Sequence, residues 1–262
     1  MWQSYEVTGP EESLDDALPG LANPFYRGSD RNVAVDCFFF VRNECDRSTL
    51  HISSEQQASQ PVFEYLETCT RSKGIQISPG HEWRPSMPLS DSARAICERF
   101  SHHSSQHSLY LLTRPKDERL ARMCFFDAML AYHFLRSESA VREFFREHAE
   151  MVEKKAGITD RKSALQIRDR VYRPLRAMFH FMRTRKKPLA RRLQAWNRVC
   201  REIADNFLVM SMNNELIFSD HFEPGTGMKR VLTCLIEEHH ARLCYSEVDK
   251  AAIARGISGL DL

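Results

Sequence analysis

Residues 115–135, PKDERLARMCFFDAMLAYHFL, are the stretch that decides the fold. Pro115 stands at a first-turn position, where a helix tolerates proline, and Asp117 and Glu118 are acids that stabilise a helix N-terminus. Residues 124–135 are apolar nearly all round, which is typical of a helix buried on every side. The stretch therefore predicts a central buried helix.

Helical signals continue along the rest of the chain. Ser137 is a cap residue ahead of a helix over 137–156, and Gly157 is a natural stop. Asn213 and Asn214 tolerate positive φ angles, so 208–219 is predicted to form a β-hairpin. The remaining helices are predicted over 159–184, 188–208, 226–243 and 246–256.

The first 112 residues have a mixed character. Strands are predicted over 33–41, 49–53 and 74–78, helices over 61–70 and 90–100, and a polar loop over 101–108. Acidic residues mixed with Pro and Gly over 1–32 are typical of a loosely ordered arm. The predicted fold is α+β and predominantly α-helical. Its parts are an acidic arm over 1–32, a small α/β region over 33–112 and a helical domain with one hairpin over 113–262.

Composition excludes several classes of protein. The chain has 262 residues, of which 42% are hydrophobic and 27% charged, with only 10 Gly and 11 Pro, so it is neither disordered nor collagen-like. Its apolar runs are too short to cross a bilayer. Residues 1–20 carry acids and no Lys or Arg, the opposite of a targeting peptide, and the 8 cysteines contain no CxxC pair. We therefore expect reduced thiols and a cytoplasmic or nuclear location.

Positive charge is concentrated in one segment. Residues 161–201 hold fourteen Lys and Arg residues against a single acid, Asp169, which gives +13 in a chain whose formal net charge is +2. Such a localised patch is typical of a surface that faces an anion. The acidic remainder would suit self-association of the chain, since unlike charges attract.

Helical spacing separates these cations from an apolar face. On 159–184, Arg170, Arg173, Arg176 and Arg183 fall opposite the apolar arc, and on 188–208 Arg198 does the same. The two helices and the loop between them are predicted to frame one basic groove. The predicted nucleic-acid-binding residues are Arg170, Arg173, Arg176, Arg183, Arg185, Lys186, Lys187, Arg191, Arg192 and Arg198.

The same pattern also fits an ordinary solvated surface. Glu202 and Asp205 lie four residues after Arg198 and Arg201, so part of the second helix could carry exposed ion pairs. Pro174 should kink or start the first helix. Tyr172, Phe179 and Trp196 fall on the apolar arcs and are expected in the core rather than as stacking platforms.

Signals for catalysis or metal binding are weak. Cys234, His239 or His240, and Cys244 could hold a metal, but core cysteines are the better interpretation. The turn containing Gly225 and Gly227 lacks the GK[ST] ending of a phosphate loop, and His51 has no matching second histidine strand. No cofactor motif is present, so no cofactor is predicted.

The leading hypothesis from sequence is a non-enzymatic nucleic-acid-binding protein that contacts the phosphate backbone, more plausibly of RNA than of DNA. Viral nucleocapsid, matrix and ribonucleoprotein components are of this kind. One alternative is an adaptor whose basic face binds an acidic protein or an anionic membrane surface. The other is an enzyme acting on a phosphorylated substrate.

Overall fold

A computed structural model describes residues 2–27, 37–44, 47–53, 59–71, 73–80, 91–159, 162–184, 191–213 and 226–259. Within these residues the chain forms nine helices and one four-stranded antiparallel sheet. The predicted α+β, predominantly α-helical fold is therefore confirmed.

The elements follow the chain from sheet to helices. The strands are β1 Trp2–Thr8, β2 Cys37–Glu44, β3 Arg47–Ser53 and β4 Gln76–Pro79. The first helices are α1 Glu11–Arg27, α2 Ser59–Thr70 and α3 Asp91–Leu112. The later helices are α4 Lys116–Leu135, α5 Glu138–Ala156, α6 Lys162–Thr184, α7 Arg191–Met212, α8 Thr226–Ala241 and α9 Glu247–Ser258.

These elements form two compact units. The first contains Met1–Arg114 with Glu237–Cys244, and the second contains Pro115–Ile236 with Tyr245–Leu262. The three-part division expected from the sequence remains a prediction.

The sheet of the first unit has the strand order β2-β3-β1-β4. Tyr5 of β1 pairs with Leu50 of β3, and Leu50 also pairs with Phe40 of β2, so the buried side chains fall in register across three strands. The α1 and α2 helices pack on each other, α2 packs on β4, and α3 packs on β2 and α1.

Residues 2–27 form a strand and a helix, which corrects the expected loosely ordered arm. Tyr5 and Val7 alternate inward on β1, as half-buried strand residues do. The buried residues of α1 follow the helical period: they are Leu14, Ala17, Leu18 and Leu21. This apolar stripe outweighs the turn preference of Pro19 and Gly20.

Residues 101–108 lie inside α3 instead of the predicted polar loop. Four serines recur at helical spacing and are buried: Ser101, Ser104, Ser105 and Ser108. The Ser105 hydroxyl accepts hydrogen bonds from the Phe40 backbone at 3.0 Å and from the buried Arg242 guanidinium at 3.1 Å. Arg242 also donates to Glu238 Oε1 at 2.6 Å, so this serine face takes part in a buried polar network.

The predicted central helix is confirmed as α4, because α5, α6, α7 and α9 all pack against it. The α9 helix is the most enclosed of these, with every residue from Ala251 to Ser258 buried. Its small residues allow close approach: a Cβ on Gly256 would lie 2.9 Å from Cγ2 of Ile167 on α6.

Local caps fix where these helices begin and end. Ser137 caps α5, as predicted, and Gly157 ends it at φ 66°, a left-handed conformation that favours glycine. Ser246 forms a reciprocal capping box with Asp249 at the start of α9.

The predicted hairpin over 208–219 is wrong in its first part, because α7 continues through Met212. Phe207 and Met210 are buried three residues apart, so the apolar period remains helical past residue 208. Residues 214–219 lie outside the described part of the chain.

Candidate functional site

The outer face of α6 carries exposed cations. These are Arg170, Arg173, Arg176 and Arg183, and the exposed ring of His180 lies on the same face, whereas Ile167, Val171, Leu175, Met178 and Phe179 are buried against the rest of the unit. This separation is the one that the helical spacing predicted, except that Tyr172, which was expected in the core, is exposed. The helix runs through Pro174, whose missing N–H withholds one helical hydrogen bond from the Arg170 carbonyl.

At its C-terminal end, this face meets a groove of about 610 Å³ within the second unit. The end of α4, the start of α5 and the last turns of α6 surround it. Its lining residues are Tyr132, Arg136, Ser137, Glu138, Ser139, Arg142, Phe179 and Arg183. We call this set the arginine groove.

A two-residue connection brings α4 and α5 together at the groove. Arg136 ends α4 in the left-handed region, at φ 60°, and its N–H donates to the Tyr132 carbonyl at 2.8 Å. Ser137 follows in an extended conformation and caps α5. Because the chain reverses within these two residues, Arg136, Ser137 and the first residues of α5 lie beside one another.

Arg142 is held firmly in the groove wall. Its guanidinium donates to Glu138 at 2.9 Å, and to the backbone carbonyls of Ile257 and Ser258 at 3.3 and 3.4 Å. It also stacks over the Phe179 ring at 5.6 Å. These contacts fix the position of the guanidinium, whose charge is partly offset by the Glu138 carboxylate in the same groove.

Arg136 and Arg183 differ in their partners. Arg136 pairs with Asp205 of α7 at 2.5 Å, with both side chains about half exposed. Arg183 is exposed and makes no ion pair or hydrogen bond with the residues that the structure describes. Arg183 is therefore the cation of the groove that is most available to a ligand.

His133, the residue that follows Tyr132 in α4, is buried. His133 is hydrogen-bonded to Asn197 Oδ1 at 2.7 Å. Burial lowers the pKa of His133, which the positive charges of Arg136 and Arg201 also favour, although the bond to Asn197 opposes the shift. The ring is consequently neutral near pH 7, so His133 adds no charge beside the arginines.

Five of the ten predicted binding residues have described side chains, and all five are exposed: Arg170, Arg173, Arg176, Arg183 and Arg198. The continuous basic groove stays a prediction. Of the ten, Arg183 lines the arginine groove. Arg185, Lys186 and Lys187 lie outside the described residues, as do the side chains of Arg191 and Arg192. A role for any of them in binding nucleic acid stays a prediction, as do the membrane and self-association partners and the cellular location.

Sequence reasoning missed the other two arginines of the groove. Arg136 and Arg142 lie before the charge-rich segment, so counting charge does not find them. The signal available was local: Ser137 as a cap, with Glu138 and Arg142 four residues apart in an ion-pairing arrangement.

The weaker site hypotheses find no support in the described residues. No group of three or more His, Cys, Asp or Glu side chains within them is placed to hold a metal ion, and this includes Cys234, His240 and Cys244. Gly227 lies in the first turn of α8, whereas Gly225 and the side chain of His51 are outside the description. No helix in the described ranges is both long and apolar enough to span a membrane.

Comparison with known proteins identifies the fold. No model of a known protein family matches the chain, and no curated protein shows significant sequence similarity to it. The solved structure of the tRNA-dependent lantibiotic dehydratase MibB from Microbispora sp. 107891 matches 98% of the chain with a TM-score of 0.66 and 14% identity. The chain spans only 28% of the length of MibB.

Two shorter proteins match along nearly their whole length. TsrL matches with a TM-score of 0.62 and 16% identity, over 98% of this chain and 93% of TsrL. TbtD, the pyridine synthase from thiomuracin biosynthesis, matches with a TM-score of 0.63 and 13% identity, over 98% of this chain and 96% of TbtD. At these identities the likeness shows the fold alone.

This fold overturns the leading hypothesis from sequence. The hypothesis of a non-enzymatic nucleic-acid-binding protein, of the nucleocapsid, matrix or ribonucleoprotein kind, is wrong, because the chain has the fold of biosynthetic enzymes. The expectation that the chain is not an enzyme is wrong for the same reason. Concentrated positive charge does not identify the function, because it indicates an anionic ligand without specifying which one.

Proposed function

We propose that this chain is a biosynthetic enzyme that modifies a peptide-derived substrate in the arginine groove. The observation that supports this most is the match to TbtD along 96% of that enzyme and 98% of this chain. A lantibiotic is a peptide antibiotic, so the likeness to MibB favours the same class of substrate. Of the functions considered from sequence, an enzyme agrees best with these likenesses.

We infer that the reaction is an elimination. A dehydratase removes the elements of water, and a saturated ring carbon must lose its substituents before a pyridine ring becomes aromatic. In both reactions a base takes a proton from one carbon, and the electron pair of that carbon–hydrogen bond forms the new double bond. The leaving group departs from the neighbouring atom with the electron pair of its carbon–oxygen or carbon–nitrogen bond. The developing negative charge is what an enzyme must stabilise.

The arginine groove supplies groups suited to that charge. Arg142 is fixed by Glu138 and two backbone carbonyls, and Arg183 is free among the described residues to close on a leaving group. Arginine presents several N–H donors in a planar fork, which matches the oxygens of a departing carboxylate or phosphate. Tyr132 lines the same groove, and a tyrosine carries a hydroxyl group that donates hydrogen bonds.

Activated serine peptides test this function. The purified protein is incubated with short peptides that contain O-acetylserine or O-phosphoserine, and dehydroalanine is detected by mass spectrometry after thiol trapping. We expect dehydroalanine with at least one of the leaving groups, and little of it with Arg142→Ala. Preference for phosphoserine would support the phosphorylated substrate considered from sequence.

Arg146→Ala is the matched control for this experiment. Arg146 is exposed on α5, one turn after Arg142, and it pairs with Glu143 away from the lining residues. We expect it to retain wild-type turnover. Elimination that proceeds equally well in Arg142→Ala, or no elimination from either peptide by the wild-type protein, would contradict the proposal.

A further inference from the structure

The outer face of α6 holds positive charge that its own helix does not neutralise. Residues 170–184 contain no Asp or Glu, and the one acid nearby on α6, Asp169, pairs with Arg168 at 2.7 Å. Arg173 has no ion pair or hydrogen bond with any described residue. Within the part of the chain that the structure describes, the contact made by the Arg176 guanidinium is with the Tyr172 ring, over which it stacks at 5.9 Å.

Three neighbouring arginines of the same unit have acidic partners. On α5, Arg142 pairs with Glu138 and Arg146 pairs with Glu143 within the helix. At the N-terminal end of the α6 face, Arg170 pairs with Asp117 at 2.9 Å and lowers the pKa of that carboxyl. Among the described residues, the arginines of this face that have no acidic partner thus run from Arg173 to Arg183, and Arg183 also lines the arginine groove.

We propose that the face formed by Arg173, Arg176, His180 and Arg183 docks an acidic segment of the peptide substrate and leads it into the arginine groove. This inference rests on the proposed function, because it assigns the partner to the same substrate. Arg173 and Arg183 are ten residues apart, about 15 Å along a helix, a span that about five residues of extended peptide cover. The spacing allows several Asp or Glu side chains to contact guanidinium groups at once.

The aromatic residues of this region favour a peptide over nucleic acid. Proteins that bind single-stranded nucleic acid stack bases on open aromatic rings. Phe179 and Trp196 are 1% and 0% exposed, and Arg176 stacks on the half-exposed Tyr172. Arginine also binds carboxylates through two parallel hydrogen bonds. The arginines of this face can therefore bind an acidic peptide without an exposed aromatic ring.

Fluorescence anisotropy with a defined probe tests the docking surface. The probe is a fluorescein-labelled peptide of six glutamates flanked by Gly-Ser repeats, and the Gly-Ser peptide alone is the neutral control. The double variant Arg173→Glu/Arg176→Glu is expected to weaken probe binding at least about tenfold at low salt, since two contacting cations become repulsive. Wild-type binding is expected to weaken as salt rises.

Arg198→Glu/Arg201→Glu provides a control with the same change in net charge. Both arginines are exposed on α7, and we expect probe affinity within about twofold of the wild type. Equal weakening by the two double variants would overturn the proposal, because binding would then reflect net charge alone. Absence of probe binding at low salt, or tighter binding of a single-stranded RNA of equal charge, would also overturn it.

Binding and turnover separate this inference from the proposed function. Probe binding requires no reaction, so it can succeed even when no elimination is found. With a short O-acetylserine peptide that contains no acidic residues, Arg173→Glu/Arg176→Glu is expected to form dehydroalanine at the wild-type rate. Thermal melting, followed by circular dichroism, checks that both double variants remain folded. We expect both to melt as the wild type does.

Discussion

Arg255 of α9 and Glu153 of α5 form a buried, two-pronged ion pair. The Arg255 guanidinium donates to the two carboxylate oxygens of Glu153 at 2.8 and 2.6 Å, and the two side chains are 3% and 8% exposed. This hydrogen bonding raises the pKa of Arg255, so the guanidinium keeps its charge inside the unit. The pair links α5 to α9, whose C-terminal carbonyls in turn bind Arg142.

Glu153→Gln is expected to destabilise the protein strongly. Removing one partner leaves an uncompensated charge in the interior, which costs about 3–5 kcal/mol in comparable buried pairs. Urea unfolding followed by circular dichroism measures the change. The double variant Glu153→Met/Arg255→Met should recover much of the loss, and a Glu153→Gln protein within about 1 kcal/mol of wild type would contradict this account.

Asp205→Asn is expected to change stability by less than about 1 kcal/mol, although it breaks an ion pair with Arg136 of similar length. Here the two side chains are 50% and 54% exposed, so water already solvates both charges and screens their attraction. The same urea measurement makes the comparison. A loss as large as that of Glu153→Gln would show that burial is not what separates the two pairs.

Gly259→Ala is expected to impair turnover through Arg142. Gly259 adopts φ +65°, and a Cβ there would collide with Nη1 of Arg142, the cation held in the groove wall. Gly157 has nearly the same conformation, φ +66°, with nothing near its Cβ position.

Gly157→Ala is therefore the matched control for this variant. Both substitutions should cost about 1–2 kcal/mol of stability from the left-handed backbone. Only Gly259→Ala should lower the rate of dehydroalanine formation. Equal turnover in the two variants would mean that the position of Arg142 does not matter to the reaction.

Because the pKa of His133 is lowered, we expect the protein to lose stability on acidification. Its pKa in the folded protein is lowered from the usual 6.5, so below that pH the unfolded chain binds a proton that the folded chain does not. The free energy of unfolding must then fall as the pH drops from 6.5 towards the lowered pKa of the folded protein. His133→Gln removes this contribution, so its stability should decline less than that of wild type between about pH 7 and about pH 5. Parallel pH profiles would contradict the assignment.

The helical half of the fold could be predicted because its signals are local. Pro115, Ser137 and Gly157 mark helix boundaries through short-range chemistry, and the structure places boundaries at each. The strand and helix over 2–27 and the helical conformation of 101–108 could not be predicted in the same way. Their Gly, Pro and Ser residues favour turns locally, and only packing and buried hydrogen bonds, such as those of Ser105, stabilise the helical conformation.

The candidate site was predictable only in part. The periodicity of α6 places Arg183 on an exposed face, but the groove also needs Arg136 and Arg142 from other elements, and a charge count does not bring these together. The class of function could not be derived from charge at all. The proposed class of function rests on the fold of the whole chain, because the matching structures share only 13–16% of their sequence with it.

Chemical rescue of Arg183→Ala tests the central claim, that the arginine groove carries out the reaction, most directly. Arg183 is exposed and without a described partner, so its truncation should leave the fold intact and open space for a small cation. We predict that dehydroalanine formation falls at least about tenfold in Arg183→Ala and is partly restored by added guanidinium, but not by urea at the same concentration. Wild-type turnover in Arg183→Ala, with no response to guanidinium, would contradict the account.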